Sequence, residues 1–555
     1  MTTDKRSVAE LVEIAYQMGI KDVVLSPGSR NAPLIIAFVE SAKFNCYTIA
    51  DERVAAFFAL GLSIKSKRPT VISCTSGSAV LNYAPAISEA YYQGVPLLVL
   101  TADRPEEWID QGIGQCIRQN NIYSNYIKAE FQFIQEASQE EDLQHNRSIV
   151  QDAIQIASSG FKGPVHINIP LAEPLYGRAE FPGVELEEKN VGIAQSSLDE
   201  GLARIWQESK RKLILMGLAP SDEVLNSLMA NLHSKDEIVV LTETSSNCFV
   251  EGAIQTIDRF ITGIEKAPSE YIPDLVVTLG GPVVSKKIKS LFLNNKPQHH
   301  WHVSLDAPKD TFKALTEHVQ MEATGFLNSV SGISSPNATD FQKLWREGNR
   351  SLKKPHAEYL SDCPWSDLKA FDRILDSIPD GSVLHMGNST VVRYVQLFDQ
   401  NPNIEYLSNR GVSGIDGCTS TAMGYAWDSD APNVLITGDI AFHYDSNAFW
   451  HKYRSSNLKI IVINNGGGSI FRIIPGPSST DQLEEYFETE QNSSAELLAK
   501  HYNIEYASAD SLESVNRELN SLFESSSSRI LEVFTPNKLN AEVLKEYFRS
   551  IHENK

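Results

Sequence analysis

Short apolar runs rich in Val, Ile and Leu recur along this chain, each halted by Gly, Pro, Asp or Ser. Within the first 180 residues they are DVVLSPG (22–28), YTIAD (47–51), TVISCTSG (70–77), VPLLVLTADRP (95–105) and GPVHINIP (163–170). Helical patterns, such as Arg53–Ser63 and Ala79–Gln93, lie between them. Runs this uniformly apolar suit strands buried on both faces, and their alternation with helices predicts a mostly parallel, doubly wound sheet. The pattern resumes with KLILMG (212–217), EIVVLTETS (237–245), DLVVTLGG (274–281) and HHWHVSL (299–305). It returns a third time from about 341. Polar stretches broken by Pro and Gly at 174–198 and 331–340 read as linkers. The expected architecture is α/β, with three doubly wound parallel-sheet domains at 1–180, 199–330 and 341–555. The similar lengths of the first and third suggest related halves flanking a middle domain.

Composition narrows the function. At 555 residues and 42% hydrophobic the chain can bury several cores, and no run of about 18 apolar residues predicts a membrane span. The N-terminus reads as an amphipathic helix with acidic residues, unlike a targeting peptide. Six cysteines without a CxxC pair read as reduced thiols of a cytoplasmic protein. A net charge of −21 argues against nucleic acid and anionic membranes as partners, and makes any local cluster of Arg more informative. His300 and His302 share one strand face beside His299, but no Cys or acid at useful spacing completes a metal site. They read as ordinary strand residues. Glu524 and the four serines after it read as a surface loop.

Chemistry concentrates between Asn433 and Gly468. Val434–Thr437 is an apolar run ending at Gly438-Asp439, Ser446–Tyr453 has helical character, and Leu458–Ile463 is a second run ending at Asn464-Asn465-Gly466. Parallel strands joined through a crossover helix end on the same sheet edge, which brings Asp439 and Asn465 together. A carboxylate, an amide and free carbonyls are hard oxygen ligands suited to Mg²⁺ or Ca²⁺. So few protein ligands leave room for phosphate oxygens, at the edge where open α/β sheets bind ligands. Asp and Asn after strands are also ordinary turn formers and caps, so the two residues alone leave both readings open.

The spacing of Gly438-Asp439 and Asn464-Asn465 resembles the thiamine-diphosphate (ThDP) signature, with Ile440 where a glycine is usual. The resemblance implies Asp439, Asn465 and the Gly467 carbonyl as ligands of Mg²⁺, with Mn²⁺ as a substitute. It gives Glu52 a role as well. A glutamate in a first helical turn is favoured by the helix dipole on structural grounds alone. In ThDP enzymes, however, a Glu after the second strand of the N-terminal domain contacts N1′ of the aminopyrimidine and promotes the tautomer that deprotonates the cofactor. Such enzymes usually form the site across a subunit interface, which implies at least a homodimer.

SPGSRNAPL (26–34), ADERVAAFFALG (50–61), the stretch 75–105, GQCIRQ (114–119), GNSTVVR (387–393) and NRGVSGIDG (409–417) match one family in order. Together they resemble the 2-succinyl-5-enolpyruvyl-6-hydroxy-3-cyclohexene-1-carboxylate synthases (MenD) of menaquinone biosynthesis, over about residues 22–475. That family tolerates a hydrophobic residue at Ile440. The resemblance implies pyrimidine-binding, central transhydrogenase-like and diphosphate-binding domains. It also implies decarboxylation of 2-oxoglutarate and Stetter-like 1,4-addition of the succinyl carbanion equivalent to isochorismate. Arg in Gly/Ser-rich turns suits bidentate recognition of carboxylates, and both substrates carry them. Ser389, Arg393 and Arg410 are expected on the 2-oxoglutarate side. Ser29, Arg30, Arg104, Gln115, Lys286 and Lys287 are expected on the isochorismate side. Ile415 is expected to buttress the cofactor, with Ile470 and Phe471 as an apolar wall. Gly114 stands where relatives can carry Asn. The rival readings are another ThDP-dependent 2-oxo acid decarboxylase or carboligase, and a non-catalytic ligand-binding relative. The first needs a smaller, less cationic pocket, and the second has no use for Glu52.

Overall fold

The computed structural model describes residues 1–186, 197–265, 269–333 and 339–553. Parts of both expected linkers, 187–196 and 334–338, lie outside the described residues. Three sheets carry the fold. The first contains β1 (Asp22–Leu25), β2 (Asn45–Thr48), β3 (Thr70–Cys74), β4 (Leu97–Asp103), β5 (Ala129–Gln132) and β6 (Val165–Pro170), in the order β2-β1-β3-β4-β6-β5. The second contains β7 (Lys212–Met216), β8 (Ile238–Thr242), β9 (Leu275–Leu279), β10 (His299–Val303) and β11 (Glu317–Val319), in the order β8-β7-β9-β10-β11. The third contains β12 (Val383–Met386), β13 (Glu405–Leu407), β14 (Asn433–Gly438), β15 (Leu458–Asn464), β16 (Glu505–Ala509) and β17 (Arg529–Phe534), in the order β13-β12-β14-β15-β17-β16. The first and third sheets therefore share one strand order. Their described ladders run parallel.

The compact units are two, and neither is contiguous in sequence. The first consists of Met1–Gly192, Asn409–Ala431 and Tyr444–Leu458; the second consists of Ile193–Ser408, Pro432–His443 and Lys459–Lys555. In the first unit, β3 and β4 are buried along their whole length, as continuous apolar runs require. The Glu52–Ser66 helix follows β2. The Asp51 side chain caps it by accepting from the Val54 amide at 3.2 Å. Every residue from Val54 to Ser63 is buried, because the Cys418–Trp427 helix covers the face turned away from the sheet. The two backbones approach so closely that a Cβ on Gly424 would lie 2.0 Å from the Phe58 carbonyl oxygen, and one on Gly61 would lie 2.1 Å from that of Thr421. Glycine is required at both positions.

The crossover after β14 differs from the sequence expectation. A short helix begins at Asp439 itself (Asp439–Tyr444), and the expected helical stretch 446–453 is reduced to a 3₁₀ turn at Ser446–Phe449. His300 and His302 on β10 are buried, and both lie within hydrogen-bond distance of the Thr278 hydroxyl, at 3.1 and 3.0 Å. All six cysteines are free thiols. Among the described residues no helix is long and apolar enough to cross a membrane.

Candidate active site

The candidate residues divide between the units. Ser29, Arg30, Glu52, Arg104, Gln115, Arg410 and Ile415 lie in the first; Lys286, Lys287, Ser389, Arg393, Asp439, Asn465, Gly467, Ile470 and Phe471 lie in the second.

In the first unit, parallel strands end on one edge, where the loops after β1 and β4 carry Ser29, Arg30, Arg104 and Gln115 and the loop after β3 meets them through Ser76. Arg30 is buried; it donates to the Leu171 carbonyl at 2.8 Å and to Glu173 at 3.2 Å, while its Nε is buried without a partner. Arg104 donates to the Gly114 carbonyl at 3.0 Å, and its charge helps burial to lower the Arg30 pKa. Gln115 is exposed, with φ +56°, and its carbonyl accepts the Ser76 hydroxyl at 2.7 Å. Ser29 is exposed beside them. The buried Gln119, which the sequence pattern does not single out, ties these loops together: its amide donates to Asn168 at 2.9 Å and accepts the Gly77 amide at 3.1 Å. Glu52 is half-buried, and burial, with help from the Asp51 charge, raises its carboxyl pKa. Arg410 and the half-buried Ile415 lie on a loop anchored by Glu89, another residue not anticipated. The buried Glu89 carboxylate accepts the Gly411 and Val412 amides at 2.5 and 2.8 Å.

The second unit brings Asp439, Asn465 and Gly467 together. Asp439 is buried and accepts Gln491 Nε2 at 2.7 Å and the Ile440 amide at 2.9 Å; the Gly466 and Gly467 amides also hydrogen-bond its carboxylate. Burial nevertheless pushes its pKa up to about 6. Asn465 donates Nδ2 to Ser469 at 2.9 Å and to Asp367 at 3.1 Å, leaving Oδ1 buried with no hydrogen-bond partner. Gly467 has φ +150°, and a Cβ there would lie 2.7 Å from the Glu488 carbonyl oxygen, which confines the position to glycine. A costly buried carboxylate beside an orphaned amide oxygen is what a divalent cation would satisfy. The residues present fit the expected ion. Asp367 and Gln491 complete this cluster; nothing in their local sequence pointed to it, since their partners lie 98 and 52 positions away.

Nearby along the chain, Ser389 has φ +71° and stands before the Thr390–Val395 helix without capping it through its side chain. Lys286, Lys287, Arg393 and Ile470 line one cavity of about 140 Å³ with Asp258 and Phe548. Burial lowers the pKa values of Arg393 and Lys286, and the Arg393 charge adds to the effect on Lys286. Lys287 pairs with Glu265 at 3.3 Å and lies 4.9 Å from the Phe548 ring centre. The turn that starts the lysine helix is clamped by buried Glu243, which accepts the Val284 and Ser285 amides at 2.6 Å each. Phe471 instead packs against Phe487, with ring centres 5.8 Å apart.

Two sheets of one strand order, with a half-buried glutamate on one and a hard-oxygen cluster on the other, are the arrangement that the resemblance to thiamine-diphosphate enzymes leads one to expect. Residues 6–122 match the family described as "Thiamine pyrophosphate enzyme, N-terminal TPP binding domain", and residues 385–533 match the corresponding C-terminal TPP binding domain. Full-length relatives narrow the class. The 2-succinyl-5-enolpyruvyl-6-hydroxy-3-cyclohexene-1-carboxylate synthase of Flavobacterium johnsoniae is 43% identical, over 98% of both chains. Enzymes of the same name from Christiangramia forsetii and Porphyromonas gingivalis are 41% and 39% identical, the first over 97% of both chains and the second over 99% of this chain and 98% of its own. The chain belongs to this synthase family, and its cofactor is thiamine diphosphate.

Proposed function

We propose that this enzyme decarboxylates 2-oxoglutarate and adds the four-carbon unit to isochorismate, giving 2-succinyl-5-enolpyruvyl-6-hydroxy-3-cyclohexene-1-carboxylate and CO₂ in menaquinone biosynthesis. The observation that carries this reading is the convergence of Lys286 and Arg393, side chains expected on different substrates, upon one partly apolar cavity. Burial lowers the pKa of both cations and the Arg393 charge lowers that of Lys286 further, so the pair invites carboxylates, and a cavity shared between them suits the joining of two carboxylated molecules. Its Ile470 wall follows the glycines of the proposed cation loop, with Ser469 between them.

When bound, thiamine diphosphate supplies the carbon nucleophile and the electron sink for loss of CO₂. Glu52, its carboxyl pKa raised, would hold a proton against N1′ of the aminopyrimidine, and Ile415 would support the cofactor. Asp439, Asn465 Oδ1 and the Gly467 carbonyl would hold Mg²⁺, or Mn²⁺ in its place, and through it the diphosphate. Ser389, Arg393 and Arg410 would orient 2-oxoglutarate. Ser29, Arg30, Arg104, Gln115, Lys286 and Lys287 would hold isochorismate, with Ile470 and Phe471 on its apolar side. We assign segments 1–180, 199–330 and 341–555 as the pyrimidine-binding, central and diphosphate-binding domains of a cytoplasmic homodimer.

The test is CO₂ release from 2-oxoglutarate with thiamine diphosphate and Mg²⁺, with and without isochorismate. Isochorismate consumption equal to CO₂ release is expected. CO₂ release indifferent to isochorismate would point to a decarboxylase or another acceptor, and no CO₂ in either case to a non-catalytic relative.

A further inference from the structure

We propose that Asp367 is a positioning residue of the cation site, fixing the Asn465 amide so that Oδ1, and not Nδ2, faces the ion. The inference rests on the reading of Asn465 as a cation ligand. An asparagine amide has two ends of nearly equal shape, and only its partners decide which end points where. Here Nδ2 meets two acceptors, Asp367 Oδ2 at 3.1 Å and Ser469 Oγ at 2.9 Å. The serine hydroxyl can donate or accept, so by itself it does not choose an orientation. Asp367 does choose.

Its own direction is set by a short relay. Asn540 Nδ2 donates to Thr535 Oγ1 at 3.2 Å, and that hydroxyl donates in turn to Asp367 Oδ1 at 2.5 Å. Oδ2 is thereby left as the acceptor facing Asn465. Asn540 also fixes the backbone of this residue, its Oδ1 accepting the Asp367 amide at 2.8 Å. Asp367, Thr535 and Asn540 are all buried. A flipped Asn465 would set its oxygen against a carboxylate oxygen and turn two N–H groups toward the cation. Asp367 does sit in the first turn of a helix, where a carboxylate is favoured for local reasons. That role needs no contact with an asparagine 98 positions away.

The experiment is Mn²⁺ titration of the full-length protein with thiamine diphosphate present, free Mn²⁺ being read by electron paramagnetic resonance. Asp367→Ala is expected to weaken Mn²⁺ binding about 10- to 100-fold, the usual effect of removing the partner that orients a metal ligand. Asp367→Asn, which keeps an acceptor, should recover most of that loss. Circular dichroism establishes that each variant is folded. Should Asp367→Ala not fold, Thr535→Val removes the donor that orients the carboxylate and should weaken Mn²⁺ binding in the same direction. Asn465→Ala separates the ligand from the residue that positions it. If it loses Mn²⁺ while the folded Asp367 and Thr535 variants bind like wild type, the positioning role is overturned. If Asn465→Ala itself binds like wild type, the cation-site reading falls and takes this inference with it.

Discussion

Glu52 joins two roles that pull in one direction. It occupies the first turn of a capped helix, and its half-buried carboxyl favours the protonated form. Glu52→Gln keeps the size and the burial but removes the acid. Turnover is expected to fall about 10²- to 10⁴-fold, the usual worth of one acid–base group, with thiamine diphosphate still bound. Wild-type turnover in that variant would remove Glu52 from the mechanism. Asp445, by contrast, serves the structure. It is fully buried and accepts the Ser420 amide and hydroxyl at 2.7 Å each. Burial pushes its pKa up to about 7 from an ordinary 3.8. The group's contribution to stability is therefore fully present below the unfolded pKa and is lost as pH rises through about 7. Asp445→Asn can keep both bonds, so its urea midpoint should fall less than that of wild type between the two pKa values. Equal pH dependence would count against the raised pKa. Residues such as Asp445, Glu89, Glu243 and Asp367 were not legible in the sequence. Each bonds to partners far along the chain, up to 323 positions away for Glu89. Asp439 and Asn465 were legible because a crossover between parallel strands forces their proximity.

At the scale of elements, the Glu52–Ser66 and Cys418–Trp427 helices of the first unit cross with their backbones in close approach. A methyl group on Gly424 would strike a main-chain oxygen, which cannot swing aside as a side chain can. Gly424→Ala is expected to cost about 1–3 kcal/mol or more, read as a lower denaturation midpoint, and to misplace the helix that Glu52 begins. A variant as stable as wild type would show that the helices can separate. Central strands were legible because both of their faces are buried: β3, β4 and β9 carry no exposed residue. Some edge strands were hard to see. β5 and β16 present half-exposed, mixed sequences, AEFQ and EYASA, whose hydrogen bonds to one neighbour outweigh their weak apolar signal. The stretch 446–453 misled because its aromatic residues imitate a helical stripe.

For the whole molecule, the shared strand order of the first and third sheets turns the similarity in length of the two end segments into a shared topology. The segmentation of the compact units was not legible, since no linker marks where Asn409–Ala431 and Tyr444–Leu458 leave their neighbours in sequence to join the first unit. A fragment of residues 1–192 is therefore expected to lack cooperative unfolding and to bind a hydrophobic dye. Its Glu52–Ser66 helix, apolar on all sides, would have lost its cover. A sharp thermal transition in that fragment would refute the dependence. The same segmentation bears on how the chain is made. At about 5–20 residues per second, synthesis from Gly192 to Leu458 occupies on the order of tens of seconds. Throughout that interval the first sheet is complete in sequence while one helix of its core waits, uncovered, for a partner the ribosome has yet to release. An apolar helix left uncovered for that long is a surface that chaperones would be expected to shield.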